Sequence, residues 1–217
     1  MNEFLSALDA ALAALSVSKW GVADIRDIPP FGHEYPRALS LLLAYDTPFP
    51  PDDEAVFFHT LEEVKSLTDL AVLEVSRFLT RRDIGHAVIP QGGQDPDTLV
   101  AGFSHKRAAV LAGLGWIGKN CLLITPEFGP RVRLATILID RELPPGTPTI
   151  ESRCGACTAC TAACPGGFIT GVLWKQGMPR EHLLDAHGCD EFRESHRPLL
   201  GRESECGRCL LVCPRGR

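Results

Sequence analysis

The sequence has few features of an exported, membrane-spanning or nucleic-acid-coating protein. Its first residues include Glu3 and Asp9 and no basic stretch, so we expect no secretory signal. No apolar run approaches the roughly 20 residues of a membrane-spanning helix. Acidic residues outnumber basic ones by 27 to 22, and the net charge of −5 argues against broad electrostatic binding of nucleic acid. Aromatic residues are scarce at 7%, but 45% of the 217 residues are hydrophobic, which suits one medium and one small globular domain.

Cysteine has the most uneven distribution of any residue in the chain. Eight of the nine cysteines lie between Cys154 and Cys213. The first run, Cys154-Gly-Ala-Cys157-Thr-Ala-Cys160-Thr-Ala-Ala-Cys164-Pro165, matches the C-x2-C-x2-C-x3-C-P spacing of bacterial ferredoxins. The second run is Cys206-Gly-Arg-Cys209-Leu-Leu-Val-Cys213-Pro214, and an isolated Cys189 precedes it. The pattern predicts two [4Fe–4S] clusters.

The order of the cysteines assigns four thiolates to each cluster. Three cysteines at this spacing wrap one face of a cubane, and in two-cluster proteins the cysteine before the proline binds the other cluster. The first cysteine set is therefore predicted to be Cys154, Cys157, Cys160 and Cys213. The second cysteine set is predicted to be Cys164, Cys189, Cys206 and Cys209. Cys121 remains outside both sets and is predicted to be a core residue.

Two other uses of the cysteines compete with clusters. Zinc sites favour two separated C-x2-C pairs and rarely need a third cysteine at this spacing. Disulfides need an oxidising compartment, whereas thiolate clusters without an export signal point to the cytoplasm. Three arginines flank the cysteines, where they either offset thiolate charge or face water: Arg153, Arg208 and Arg215.

Hydrophobic periodicity predicts a mixed α/β region ahead of the cysteines. Helices are predicted over residues 3–16 and 58–82, and strands over 37–45 and 86–90. Ser104 is a candidate N-cap for a short helix to about Leu114.

Two further strands and a domain boundary complete the predicted organisation. Residues 121–125 and 132–140 are predicted to pair as a hairpin. The linker Leu143-Pro-Pro-Gly-Thr-Pro places a boundary near residue 150. We therefore expect an α/β core domain over 1–150 and a double-cluster domain over 151–217.

A segment of the α/β region resembles a known enzyme family. The stretch Ala112-Gly-Leu-Gly-Trp-Ile-Gly-Lys-Asn120, followed by Leu122-Leu-Ile-Thr-Pro-Glu-Phe-Gly129 and Arg133-Leu-Ala-Thr, resembles the epoxyqueuosine reductases. The order of the cysteines, including the isolated Cys189, is similar as well. The resemblance covers roughly residues 36–217 and is strongest from Ser104 onward.

The resemblance implies a fold and a chemistry. The fold is expected to be α+β or α/β, with a nitroreductase-like or corrinoid-processing-like domain and a ferredoxin-like double [4Fe–4S] domain. Members of the family reduce epoxyqueuosine to queuosine in tRNA with cobalamin and two [4Fe–4S] clusters. Reductive dehalogenases share this core. A corrinoid is therefore the expected additional cofactor, and flavin is the less favoured one.

The sequence departs from the family in two places. The family carries an acidic residue about a dozen positions before its A-G-L-G-W motif. The corresponding stretch Leu99–Arg107 has no acid here, and the nearest are Asp95 and Asp97. The family also continues past its last cluster cysteine into a helical module that helps to hold tRNA, whereas this sequence has four residues after Cys213. We therefore do not expect tRNA as a partner.

Five residues outside the cysteines are candidate site residues. Gly115 and its neighbouring glycines allow close approach of a flat ligand, Trp116 offers a stacking face, and Lys119 adds a cation. A structural turn with Trp116 in an interface explains the same residues equally well. Lys106 suits an anionic group at a helix start, and His105 is a candidate proton donor.

These patterns leave three hypotheses for the function. The first is a reductase whose two clusters feed electrons to a cofactor or substrate near residues 102–120. The second is a non-enzymatic electron-transfer protein or subunit, and the third is a zinc-stabilised binding module. The redox hypotheses require an electron donor such as a ferredoxin, a flavodoxin or a reductase. The substrate and the oligomeric state are not predicted.

Overall fold

The computed structural model describes residues 3–45, 54–92, 94–200 and 206–216, without the side chains of 54–58 and 196–200. The α/β region contains three helices and six strands within these ranges. In chain order they are α1 (Glu3–Ala13), β1 (Lys19–Asp24), β2 (Arg37–Ala44), α2 (Glu54–Thr80), β3 (His86–Val88), α3 (His105–Leu111), β4 (Trp116–Ile117), β5 (Leu123–Ile124) and β6 (Val132–Ile139). Three helices follow in the cysteine region: α4 (Ala159–Ala163), α5 (Ala186–Leu200) and α6 (Arg208–Leu211).

An antiparallel sheet with the strand order β1-β2-β6-β3 forms the centre of the α/β region. Every residue of β2 is buried. Because side chains alternate across a strand, Leu39 and Leu41 pack into the cluster that contains Leu8 and Val75 of α1 and α2. Ala38 and Leu42 pack instead with α3 on the opposite face. The sheet is therefore covered on both faces, which explains the continuous apolar run in β2.

Most of the predicted elements of this region are confirmed. The helix predicted over 58–82 is α2, although it begins at Glu54, and the strands predicted at 37–45 and 86–90 are β2 and β3. Ser104 caps α3, because its hydroxyl accepts a hydrogen bond from the Arg107 backbone N–H at 3.3 Å. The helix ends earlier than predicted, and Gly113 supplies the left-handed residue, with φ +75°, that follows it.

The predicted hairpin between residues 121–125 and 132–140 is wrong. β5 has only two residues and pairs with β4, where Trp116 lies opposite Ile124. β6 instead lies between β2 and β3 in the main sheet. β6 pairs over eight residues with β2 and over three with β3, so tertiary pairing overrides the short connection to β5.

The cysteine region is tied to the α/β region by apolar contacts. Leu183 belongs to the same buried cluster as α3 and β2. Leu210 and Leu211 of α6 pack against Leu61 of α2. The segment between the two regions, residues 143–150, has no regular structure, and its Gly146 N–H donates to the Val22 carbonyl at 2.8 Å. The division of the chain into two domains at residue 150 stays a prediction.

Among the described residues, no helix is both long enough and apolar enough to cross a membrane.

Candidate iron–sulfur and cofactor site

The first cysteine run forms a tight loop that leads into a short helix. Gly155 adopts φ +57°, a conformation that favours glycine, and the Cys157 N–H donates to the Cys154 carbonyl at 3.3 Å. α4 then begins at Ala159, so that Cys160 lies in its first turn. The curvature of the loop turns three cysteines toward a common space, as cubane binding requires.

The four cysteines of the first set line one cavity. Its wall contains Cys154, Cys157 and Cys160 from the first run and Cys213 from the end of the second run. The remaining lining residues are Lys119, Asn120, Ile124, Ala159, Pro214 and Arg215. The structure therefore brings together cysteines that are up to 59 positions apart in sequence. We call this space the first-set cavity.

The second cysteine set also converges. Burial is the main cause that raises the pKa of the Cys209 thiol to about 12, and the neighbouring thiols of Cys206, Cys189, Cys160 and Cys164 contribute to this rise. Burial likewise raises the pKa of Cys189, to which Cys164 and Cys206 add. These mutual effects require the thiols to lie close together. Because iron binds thiolates, a cluster at this position has to displace protons that the free thiols hold tightly.

The donor set fits iron–sulfur clusters. Among the described residues, no three His, Cys, Asp or Glu side chains converge closely enough to hold a single metal ion. A cubane needs wider spacing, because each thiolate binds a different iron, and the first-set cavity provides that space. The assignment of individual cysteines to each cluster stays a prediction.

Close packing against β5 explains two glycines of the motif loop, Gly113–Asn120. A Cβ added at Gly115 would lie 2.3 Å from the Ile124 carbonyl oxygen, and one at Gly118 would lie 2.6 Å from the Ile124 side chain. Backbone cannot move aside as a flexible side chain can, so Gly115 is needed for the β4–β5 pairing itself. The glycines are thus accounted for by protein contacts, which favours the structural interpretation of these positions.

Trp116 is buried between the motif loop and the cysteine region. It is 3% exposed, and the guanidinium carbons of Arg153 and Arg215 lie 5.9 and 6.0 Å from the ring centroid. Both distances lie at the upper limit for a cation–π contact. Its indole N–H has no hydrogen-bond partner among the described residues. A buried donor without a partner is uncommon, so Trp116 remains a candidate for contact with a ligand.

Lys119 and Asn120 connect the motif loop to both cysteine runs. Lys119 is 7% exposed, and its Nζ donates to the Cys157 carbonyl at 2.9 Å. The Asn120 Nδ2 donates to the Cys209 carbonyl at 3.2 Å. Arg131 adds a third connection through its Nη1, which donates to the Cys213 carbonyl at 3.2 Å. Of these three, the sequence identified only Lys119 as a site residue.

His105 and Lys106 lie apart from the lining of the first-set cavity. His105 Nδ1 is 2.9 Å from the Thr136 hydroxyl, and its Nε2 is 3.3 Å from the Pro90 carbonyl oxygen. Burial lowers the pKa of His105 from its usual 6.5. Lys106 Nζ donates to the Cys121 carbonyl at 2.7 Å. Both contacts are within the α/β region, and the predicted site roles of these two residues stay predictions.

In the loop that precedes α3, the carboxylate of Asp95 stabilises a turn. Asp95 Oδ1 accepts hydrogen bonds from the Asp97 and Thr98 N–H groups and from the Thr98 hydroxyl. These bonds lower the pKa of Asp95. Arg180, from the cysteine region, donates to the Thr98 and Leu99 carbonyls, both at 2.8 Å. Asp95 is therefore held as an ionised turn residue.

The comparison with protein families identifies the class of the cysteine region. A family model described as a 4Fe-4S double cluster binding domain matches residues 153–216. The chain is an iron–sulfur protein that carries a double [4Fe–4S] domain.

Epoxyqueuosine reductases are homologues of this chain. The enzyme of Bacillus anthracis is 37% identical over 124 residues, which cover 53% of this chain and 30% of the relative. The enzyme of Escherichia coli K12 is 35% identical over 113 residues, covering 48% and 27% respectively. This chain thus matches under a third of the length of these curated relatives.

Solved structures confirm the expected fold. An epoxyqueuosine reductase from Bacillus subtilis has a TM-score of 0.63 at 21% identity, over 99% of this chain and 66% of that one. A catabolic reductive dehalogenase has a TM-score of 0.73 at 17% identity, over 97% of this chain and 31% of the other. Both structures share the mixed α/β fold of this chain.

Proposed function

We propose that this chain is an iron–sulfur reductase whose two cysteine sets hold [4Fe–4S] clusters beside the motif loop. One observation carries the proposal. Lys119 and Asn120 of the motif loop line the same cavity as the four thiols of the first cysteine set. The loop and the cysteines therefore form one continuous site. When bound, the clusters supply one-electron chemistry at this boundary.

The residues of the chain have distinct parts in this proposal. The cysteines bind the clusters, and Lys119, Asn120 and Arg131 hold the cysteine loops against the α/β region. Trp116 is buried with Arg153 and Arg215 beside its ring. The homologous reductases favour this function over an electron carrier without its own substrate site.

A corrinoid is the cofactor that we propose as the electron acceptor. The support comes from a neighbouring fold, a reductive dehalogenase whose structure suggests a mechanism for B12-dependent dehalogenation. Backbone fills the space beside Gly115, so the group that we assign to a bound corrinoid is the indole N–H of Trp116, which has no hydrogen-bond partner among the described residues. No acidic residue of the 99–107 stretch is available to donate a proton there.

The remaining parts of the proposal concern partners and location. A small reduced carrier, such as a ferredoxin or flavodoxin, or a reductase supplies the electrons. The cytoplasm is the proposed compartment, because reducing conditions preserve thiolate clusters.

Titration with cob(II)alamin tests the cofactor. The cluster-loaded protein is expected to change the visible spectrum of cob(II)alamin with a saturable dependence, and Trp116→Ala is expected to weaken that binding. Trp20→Ala is the matched control, since Trp20 is half-buried and its Nε1 bonds to Asp9 away from the cysteines. The absence of any spectral change with the loaded protein would remove the corrinoid from the proposal.

A further inference from the structure

The two cysteine sets differ in the charges around them. Lys119 contributes a buried cation to the lining of the first-set cavity. Its Nζ is fixed by the hydrogen bond to the Cys157 carbonyl, so the charge cannot swing out into solvent. A buried charge acts through a lower effective dielectric constant than an exposed one and is less screened by salt.

Arg131 and Arg215 add positive charge on the same side. Arg131 is half-buried and donates to the carbonyls of Cys213 and Arg215. Arg215 lines the first-set cavity and donates through Nη2 to the Arg153 carbonyl at 3.0 Å. Arg215 is exposed, so solvent weakens its effect. Of these three cations, Lys119 and Arg131 therefore have the stronger electrostatic effect on the first cysteine set.

The second cysteine set has a more balanced environment. Near Cys189, the guanidinium of Arg193 pairs with the carboxylate of Asp190 at 3.3 Å, so opposite charges lie together. The contact of Asn120 with the Cys209 carbonyl is uncharged. Arg208, the neighbour of Cys209, is exposed. Among the described residues, these paired and exposed charges leave a smaller net positive potential at the second cysteine set than Lys119 gives the first.

We infer that Lys119, supported by Arg131, makes the cluster site of the first cysteine set easier to reduce than that of the second. Reduction adds one negative charge to a site that four thiolates already make negative. A fixed cation beside that site stabilises the added charge, and net charge and hydrogen bonding are established determinants of cluster potential. A single electron added to the loaded protein therefore resides on the first cysteine set, which adjoins the motif loop. The inference rests on the binding of two clusters that the proposed function requires.

A potentiometric titration followed by electron paramagnetic resonance tests this inference on the cluster-loaded full chain. The wild type is expected to show two reduction steps, and a Cys157→Ser variant identifies the signal of the first cysteine set. Lys119→Met is expected to lower the potential of that signal by at least about 59 mV, a tenfold change in a one-electron equilibrium. The signal of the second cysteine set is expected to move less.

Two further variants complete the design. Lys175→Met removes a cation of the same type at an exposed position of the cysteine region and is expected to leave both potentials unchanged. Arg131→Gln is expected to shift the first signal in the same direction as Lys119→Met, and it serves as the test if Lys119→Met does not retain iron. An unchanged first potential in both variants, or a lower wild-type potential for the first set than for the second, would overturn the inference. Neither result depends on corrinoid or substrate, so the reductase proposal is tested separately.

Discussion

The side-chain amide of Asn120 donates a hydrogen bond to the backbone carbonyl of Cys209, 89 residues further along the chain. Asn120 is 5% exposed, and its Oδ1 also accepts from the Leu122 N–H at 3.3 Å. One buried side chain thus fixes the end of the motif loop and positions the loop of the second cysteine run. The structural core and the cysteine ligands are coupled at this contact.

Replacing Asn120 by alanine is expected to destabilise the protein by about 1–3 kcal/mol, because it leaves the partly buried Cys209 carbonyl without this donor. Urea unfolding measures the free energy, and iron content after dilution measures cluster retention, which is expected to fall. Gln91→Ala is the matched control, since Gln91 makes an exposed side-chain bond to the Leu134 carbonyl. Equal losses in the two variants would contradict the coupling.

Gly115→Ala is expected to disrupt the motif loop, because the new Cβ would lie 2.3 Å from the Ile124 carbonyl oxygen. We expect a loss of about 2–4 kcal/mol in the free energy of unfolding, at the upper end of single-residue effects. The control is Gly102→Ala, since no atom lies within 4 Å of a Cβ at that position. Its effect is expected to stay within about 0.5 kcal/mol. A well-folded Gly115→Ala variant that fails only in cofactor binding would instead support the ligand interpretation of this glycine.

The pH dependence of stability is expected to reveal the buried state of His105. Its pKa is lowered in the folded protein by burial, so both states are neutral well above pH 6.5. As the pH falls below 6.5, the unfolded chain binds a proton before the folded one does, and the folded state loses stability. As the pH is lowered from 7.5 to 5.5, the melting temperature of the wild type is expected to fall by more than that of His105→Gln.

His33→Gln is the control for this measurement, because the side chain of His33 is exposed. A parallel pH profile for wild type and His105→Gln would contradict a buried neutral imidazole. It would also support the predicted role of His105 as a proton donor near neutral pH.

Much of the fold follows from local sequence patterns. The leucines of β2 and the periodic apolar face of α2 are strong signals because burial decides both elements. β1 was missed, since its residues Lys19–Asp24 include Gly21 and show no clear alternation. The failure of the hairpin prediction has a tertiary cause, because β6 pairs along its whole length with β2, whereas β5 has only two residues.

The candidate site was likewise predictable from the sequence only in part. Cysteine spacing predicts the two cysteine sets, since a cluster imposes a fixed ligand geometry on a short loop. The contacts of Asn120 and Arg131 with the cysteine carbonyls span 89 and 82 residues, and nothing in the local sequence marks them. Charge near a cluster is likewise a tertiary property, which explains why the burial of Lys119 could not be predicted.

Two cysteine variants distinguish a ligand from a core residue. Cys189→Ala is expected to reduce the iron content by about half, because it removes one of four ligands from the second cysteine set. Cys121→Ala is expected to leave the iron content unchanged, since Cys121 is buried in the α/β core with Lys106 near its sulfur. Iron loss in Cys121→Ala with full retention in Cys189→Ala would reverse the assignment.

The most direct test of the central claim is a determination of iron, acid-labile sulfide and zinc in the anaerobically purified or reconstituted chain. Two [4Fe–4S] clusters on the two cysteine sets predict about eight irons and eight sulfides per chain, with a paramagnetic signal after reduction. Stoichiometric zinc without iron or sulfide would contradict the account.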